Sequence, residues 1–352
     1  PPSGRATFQE IRPHVAFHDW STDMDGAEAL LSLPTVHTVT ITVTESGYAL
    51  NDTGDLDVSD PQILHEAASG APTTVYGFLA RALRRRASAI NQPITVLCCD
   101  NIRSNGRMLR QNLIAYLQLC GDDTLIDWVT AKATFPCSMV DRITPRATSA
   151  LKDDMARRFS SHHQSPIHSE DYIQWVLEDD FAGPFPDLAA AGVEIVRDVH
   201  PYEEAKIRIL NGGHTALAYL GALAGHETFD QAMADARLRA HFDAFCAEDA
   251  LPAITPDLPF DKSAYAADIA ARFCNANIAD QLERICMDGF AKMPIFIRPT
   301  LEGRLAQGAV PKRAYDSIAS WIVFARRAAA GALAVPYHEP NWATLAPLIE
   351  PG

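Results

Sequence analysis

Two β-branched runs, each followed by a helical pattern, constrain this chain more than any other feature. Val36-His37-Thr38-Val39-Thr40-Ile41-Thr42-Val43-Thr44 stops at Ser46-Gly47, and Ile94-Thr95-Val96-Leu97-Cys98 stops at Asp100-Asn101. Both read as buried strands, since near-continuous apolar or β-branched stretches suit a sheet covered on both faces. Thr73 to Ser88 reads as a helix, with apolar Val75, Phe78, Leu79 and Ala82. Its Arg84-Arg85-Arg86 ending is read as basic residues meeting the helix dipole. Gly106 to Leu119 reads as a second helix. Strand, helix, strand, helix implies a parallel sheet with crossover helices, and a further strand is expected at Val193-Glu194-Ile195-Val196.

Beyond Pro201 long helical periods take over, at 201–224, 227–248, 262–274, 277–291 and 312–331, separated by Pro-rich breaks. The expected organisation is an α/β domain over residues 1–199 and an all-α domain over 200–352. Residues 146–170 form an exposed excursion from the first. A chain of 352 residues suits two such domains. Hydrophobic residues at 47% against charged residues at 21% exclude wholesale disorder.

Thirty basic residues against 44 acidic ones, a formal charge of −14, argue against a nucleic-acid partner. No apolar run approaches the ~18–20 residues of a membrane span, and no secretory signal pattern opens the chain. Seven cysteines, none in a CxxC, fit a reduced, cytoplasmic chain, with Cys98-Cys99 assigned to the core. His162, His163, His168 and Glu170 fit no zinc spacing, and Pro166 interrupts any shared helix face. They read as a solvated loop, and no metal site is expected.

In open parallel sheets ligands bind at the carboxyl ends of the strands. Here those ends carry Thr44-Glu45-Ser46-Gly47-Tyr48 and Asp100-Asn101-Ile102-Arg103-Ser104-Asn105-Gly106. The helix opening at His200-Pro201-Tyr202-Glu203-Glu204 is more informative. At ~100° per residue, Glu203, Lys206, Asn211 and His214 fall within an arc of roughly 140° on an otherwise apolar helix. Gly212-Gly213 between them costs about 1 kcal/mol per glycine, so something must approach the backbone there. A polar stripe satisfied at a domain interface and a catalytic site are both compatible with this pattern.

The sequence resembles the polyol-specific long-chain dehydrogenases, the family of mannitol 2-dehydrogenase, D-arabinitol 4-dehydrogenase and the fructuronate reductases. The matching blocks are TVTESGY (42–48), CCDNIRSNG (98–106), SMVDRITPR (138–146), QWVLEDDF (174–181), HPYEEAKIRILNGGH (200–214) and ADQLERICMDGFAKMP (279–294). The resemblance implies a Rossmann-type domain followed by an all-α substrate domain, and NAD as cofactor. The chain has no GxGxxG-like segment, so residue 1 is expected to fall roughly a hundred residues into the family pattern. The pyrophosphate turn and the ribose acid would then lie upstream, along with the choice between NAD and NADP.

By the same resemblance Lys206, in the PYEExK motif, is the general base. Asn101 and Asn211 hold the substrate oxygen, His214 positions the reacting hydroxyl, and Glu203 passes the proton to solvent. Thr44, Asn101 and Asp141 border the cofactor, while Arg284 and Lys292 lie near the polyol chain. The chemistry is consistent with these roles. A base must lose its own proton first, which burial favours for a lysine, and amide donors stabilise a developing alkoxide.

The function expected is a zinc-independent polyol dehydrogenase converting D-mannitol or D-arabinitol to fructose or xylulose. The alternatives are a hexuronate oxidoreductase, with Arg284, Lys292 and Arg298 clamping the carboxylate, and a non-catalytic truncated binding protein. The partner expected is a small polyol or ketose, and oligomeric state is left open.

Overall fold

A computed structural model describes residues 6–51, 53–145, 147–159, 165–255 and 257–349. By contacts the chain divides into two units, one comprising Phe8–Asp141 and Gln174–His200, the other Arg142–Ile173 and Pro201–Gly352. The segment read as an excursion from the first domain thus belongs to the second unit.

The first unit is α/β. Helices α1 (Met24–Leu30), α2 (Pro61–Ser69), α3 (Val75–Ala89), α4 (Asn105–Leu119) and α5 (Asp123–Lys132) accompany strands β1 (Thr38–Ile41), β2 (Ile94–Cys98) and β3 (Ala133–Thr134). These strands form a parallel sheet in the order β1-β2-β3, with Ile41 beside Cys98. All five residues of β2 are buried, Thr95 included, in keeping with its near-continuous apolar and β-branched run. Leu79, Leu83, Leu109 and Leu113 of α3 and α4 have no exposure, each contributing roughly 1.5–3 kcal/mol by burial.

Two expectations differ from the structure. The strand at 193–196 exists as β6 (Glu194–Val196), but it belongs to a second, mixed sheet. There β4 (Ser138–Asp141) runs antiparallel to β5 (Gln174–Glu178), and β6 runs parallel to β5. The arginine run also serves more than a helix dipole. Arg84 pairs with Asp122 and Arg85 with Asp25, while the fully buried Arg86 donates to the carbonyls of Leu31, Gln92 and Pro93. Three different ties explain three consecutive arginines.

Asn105 staples β2 to β4. Its Nδ2 reaches Cys98 O at 2.9 Å and Ser138 O at 2.9 Å, and its Oδ1 accepts from Ser138 N at 2.9 Å. The next residue must be glycine, because a Cβ on Gly106 would stand 2.2 Å from Phe135 O and 2.5 Å from Pro136 O. Gly106→Ala is therefore expected to cost about 1–3 kcal/mol or more through overpacking against backbone that cannot retreat. Urea unfolding measures it, and an unchanged midpoint would contradict the close approach.

The second unit is helical. α6 (Ser149–Phe159) has no buried residue. α7 (His200–Ala205), a π turn (Lys206–Asn211) and α8 (Gly212–Leu223) form one continuous run. α9 (Phe229–Ala234), α10 (Ala236–Ala244), a second π turn (Phe245–Ala250) and the short α11 (Leu251–Ala253) follow. Next come α12 (Lys262–Phe273), α13 (Leu282–Cys286), α14 (Gly289–Lys292), a third π turn (Met293–Ile297), α15 (Arg298–Ala306), α16 (Lys312–Ala329) and α17 (Trp342–Ile349). The core gathers on α8, whose Ala216, Leu217, Ala218 and Tyr219 have no exposure.

Residues 142–143 and 170–172 are anchored within this unit by Glu170. Its carboxylate accepts from Arg272 Nη2 at 2.7 Å, Arg272 Nε at 3.0 Å and Ile143 N at 2.6 Å. The Arg272 guanidinium also lies 3.9 Å over the Tyr172 ring. Glu170 is thus an ion-pair partner of Arg272, where the sequence reading put it in a solvated loop. Of the histidines considered with it, His168 is half-buried and His162 and His163 lie outside the described residues.

Candidate active site

The carboxyl edge of the parallel sheet is organised by Asp100. Its carboxylate accepts from Val43 N at 2.8 Å, Thr44 N at 3.2 Å and the Tyr48 hydroxyl at 2.7 Å. Strand β1 therefore ends at Ile41, short of the β-branched run, because a side chain captures the next backbone donors. Thr44 is held at φ 63°, ψ 166°, a region normally left to glycine that costs on the order of 1–3 kcal/mol and persists only when its surroundings enforce it. Thr44 and Asn101 are exposed at this edge, and Asp141 is buried at the end of β4. Burial first, then the Cys98 and Asp100 hydrogen bonds, raise the Tyr48 phenol far above its usual range, so it remains a donor.

In the helical unit Glu203, Glu204 and Lys206 are all buried. Arg208 is tied to Glu204 Oε2 at 2.7 Å and to Pro299 O at 2.6 Å. These bonds brace the π turn that begins at Lys206. On a regular helix Lys206 and Asn211 would point about 140° apart. A turn closed by i→i+5 bonds brings residues five apart much closer to one face, and such turns recur at functional sites. Sequence periodicity alone did not reveal this. The glycines that follow have a packing reason: a Cβ on Gly213 would lie 2.6 Å from the Phe242 ring, and one on Gly212 3.1 Å from Phe296 O. What approaches the backbone is the protein itself.

His214 lines a small pocket with Phe229, Arg272, Phe273, Asn275 and Asp280. Its ring stacks on Phe273 at 5.0 Å and meets Phe229 edge-on at 4.4 Å. Burial lowers its pKa to about 4; Asp280 opposes this, and Arg284 and Lys292 add to it. The imidazole is therefore neutral at physiological pH. Arg284 donates from Nε and Nη2 to Asp280. Lys292 donates to Ile285 O at 3.0 Å, and burial, its leading cause, lowers its pKa.

The structure thus gathers His214, Arg284 and Lys292 on neighbouring elements of one unit, with Lys206, Asn211 and Glu203 on the helical run that carries His214. Thr44, Asn101 and Asp141 belong to the α/β unit. Asp280 and Arg272 were not singled out from sequence. The Asp280/Arg284 spacing of four was the available signal for the first, whereas Arg272 is paired with a residue 102 positions away and has no local signature. Among the described residues no group of three His, Cys, Asp or Glu side chains is placed to hold a metal ion. No described helix is long and apolar enough to cross a membrane.

A parallel-sheet α/β unit and a helical unit with a buried lysine are the two parts of the chain, and comparison with known proteins identifies the family. The mannitol dehydrogenase Rossmann domain matches residues 15–190, and the mannitol dehydrogenase C-terminal domain matches residues 198–347. The chain belongs to the mannitol dehydrogenase family.

It is 39% identical over 310 residues to D-arabinitol 4-dehydrogenase of Ralstonia nicotianae, covering 88% of this chain and 66% of that protein. It is 36% identical to mannitol 2-dehydrogenase of Cereibacter sphaeroides, covering 98% and 72%. Among solved structures it is similar to Pseudomonas fluorescens mannitol 2-dehydrogenase in a ternary complex with NAD and D-mannitol. That match has a TM-score of 0.84 and 34% identity, and covers 94% of this chain and 68% of the other. The chain thus spans about two thirds of the length of these relatives.

Proposed function

We propose that the protein is an NAD-dependent dehydrogenase that interconverts an acyclic polyol, D-mannitol or D-arabinitol, with its ketose, D-fructose or D-xylulose. The observation that carries this reading is the buried Lys206 at the head of a π turn, within the PYEEAK motif and followed by Asn211 and His214 on one helical run. Lys206 Nζ takes the proton of the reacting hydroxyl. The Asn211 amide donates to the oxygen as negative charge develops on it, and Asn101 is assigned the same oxygen by the family pattern. Neutral His214 orients the hydroxyl, and Glu203 relays the proton from Lys206 towards solvent.

The carboxyl edge of the α/β unit fits the nicotinamide end of a dinucleotide, with exposed Thr44 and Asn101 and with Asp141 at the end of β4. NAD, when bound, supplies the hydride acceptor.

The polyol is favoured over a hexuronate by the state of the basic residues. Arg284 is engaged by Asp280, Arg298 by Glu302, and Lys292 by a backbone carbonyl. Arg272 is engaged by Glu170. A carboxylate substrate would call for an uncommitted bidentate clamp.

The test is turnover of the full-length natural protein with mannitol, arabinitol, sorbitol, xylitol and fructuronate, followed by absorbance of the reduced cofactor with NAD and with NADP. Oxidation of mannitol or arabinitol with NAD is expected, unchanged after exhaustive chelation by EDTA. Reaction of fructuronate alone would establish the hexuronate reading. Absence of turnover on all five would favour a binding protein, and loss to EDTA restored by zinc would overturn the metal-free chemistry.

A further inference from the structure

We propose that Glu339 is a positioning residue for Lys292, clamping the elbow between α13 and α14 that sets where Lys292 stands relative to Arg284. The elbow is Met287-Asp288, with Arg284 four residues before Asp288 on α13 and Lys292 four residues after it at the end of α14. Asp288 is left-handed at φ 57°, ψ 37°, a conformation aspartate adopts only as a single residue and one its surroundings must enforce. Helix α14 has four residues, too few to stand on its own hydrogen bonds. Another part of the chain must hold it.

The segment Tyr337–Asn341 does so. Pro336 and Pro340 keep it out of a helix. Its His338 carbonyl accepts from Asp288 N at 3.1 Å, and Glu339 Oε2 accepts from Phe290 N at 3.0 Å. These are donors that a helix start leaves without intrahelical partners. The same Oε2 accepts from the Tyr337 hydroxyl at 2.7 Å, which in turn accepts from Trp321 Nε1 of α16 at 3.0 Å. Glu339 Oε1 accepts from Asn341 N at 3.1 Å. The packing is close: a Cβ on Gly289 would stand 2.7 Å from the hydroxyls of Tyr219 and Tyr337 and would strike Trp321 Nε1.

Both ends of Lys292 are referred to this elbow. Its backbone N donates to Asp288 O at 2.9 Å, and its Nζ reaches back to Ile285 O at 3.0 Å. A change in the elbow therefore moves the ammonium relative to Arg284. The effect on turnover rests on the reading that places Arg284 and Lys292 along the polyol chain. Contacts to hydroxyls remote from the reacting carbon act alike in ground and transition states, so their loss appears in KM and not in kcat.

The experiment uses the full-length natural protein. Glu339→Ala is expected to raise the KM for polyol by about tenfold, a typical coupling within one hydrogen-bond network, with kcat and the KM for NAD changed by less than about twofold. Amide hydrogen exchange should quicken over residues 284–297 and not in the α/β unit. Glu339→Gln keeps one acceptor oxygen but turns an amide donor on Phe290 N or Asn341 N, so it should fall between the two. In a Lys292→Met background Glu339→Ala should add little to KM, because the residue it positions is gone. Asp249→Asn serves as the stability control. Asp249 Oδ2 accepts from Arg313 N at 2.8 Å and Ala314 N at 2.9 Å at the start of α16, so its loss should lower the melting temperature without raising KM.

An equal rise in KM with and without Lys292 would show that Glu339 does not act through it, and the proposal fails. A rise that Asp249→Asn reproduces at matched melting temperature would make the clamp merely structural. If the native enzyme turns over no polyol, the polyol reading is lost. Exchange then still decides the clamp: unaltered rates in Glu339→Ala overturn it, and faster rates confined to 284–297 uphold it.

Discussion

Lys206→Ala is expected to reduce polyol oxidation by about 10²–10⁴ in turnover, the weight of a positioned acid–base group. In the native enzyme oxidation should rise with pH, because only the neutral amine accepts the hydroxyl proton. The alanine variant should lose that rise, and an added primary amine should restore part of the rate. Asn211→Ala provides the contrast: it slows turnover while leaving the pH profile in place, since it removes a donor and no acceptor. Near-normal turnover in Lys206→Ala, with only a lower melting temperature, would return Lys206 to a structural polar stripe. The base would then have to be sought at His214, whose pKa of about 4 makes it a poor acceptor near neutral pH.

The second large effect is on stability. Glu170 and Arg272 have side-chain exposures of 2% and 7%, so Arg272→Met leaves a carboxylate buried without its counter-charge. Breaking such a pair on one side costs about 3–5 kcal/mol, which urea unfolding would show as a large drop in midpoint. The Arg272→Met/Glu170→Gln double variant should recover much of the loss, because no charge is then left unpaired. A double variant as unstable as the single one would mean that the Tyr172 stack and the Ile143 bond carry the energy instead of the charge pair.

How much of this was legible in the sequence varies with the physical range of the signal. Ile94–Cys98 was read to the residue, because a short apolar and β-branched run bounded by Pro93 and Asp100 suits a buried strand. Val36–Thr44 was read too long. Nothing local shows that Asp100, 57 residues from Val43, takes the donors that would have continued β1. Residues 194–196 were recognised as a strand, yet their sheet depends on which neighbours they meet, which a single strand does not encode.

The candidate residues on the 200–214 helix were found because polar groups stand out on an apolar helix and the motif is long. Their mutual orientation was not legible, since periodicity assumes a uniform turn. Glu170 was misread for the opposite reason: it sits beside polar Ser-His residues, and the partner that buries it is 102 positions away.

The π turn at 206–211 has a consequence for how this site tolerates change. An extra residue accommodated inside a continuous helix acts as a phase adjuster between two rigid halves. Winding the turn regularly without removing a residue would rotate everything after it by about 100° relative to Lys206, the step of the one extra residue the turn absorbs. His214 would swing away from Asp280, while the helix itself kept its length to within one step and most of its hydrogen bonds. Insertions and deletions are usually harmless in loops and ruinous in cores. Here the sensitive spot is a register within an unbroken helix, invisible to any measure of helix content.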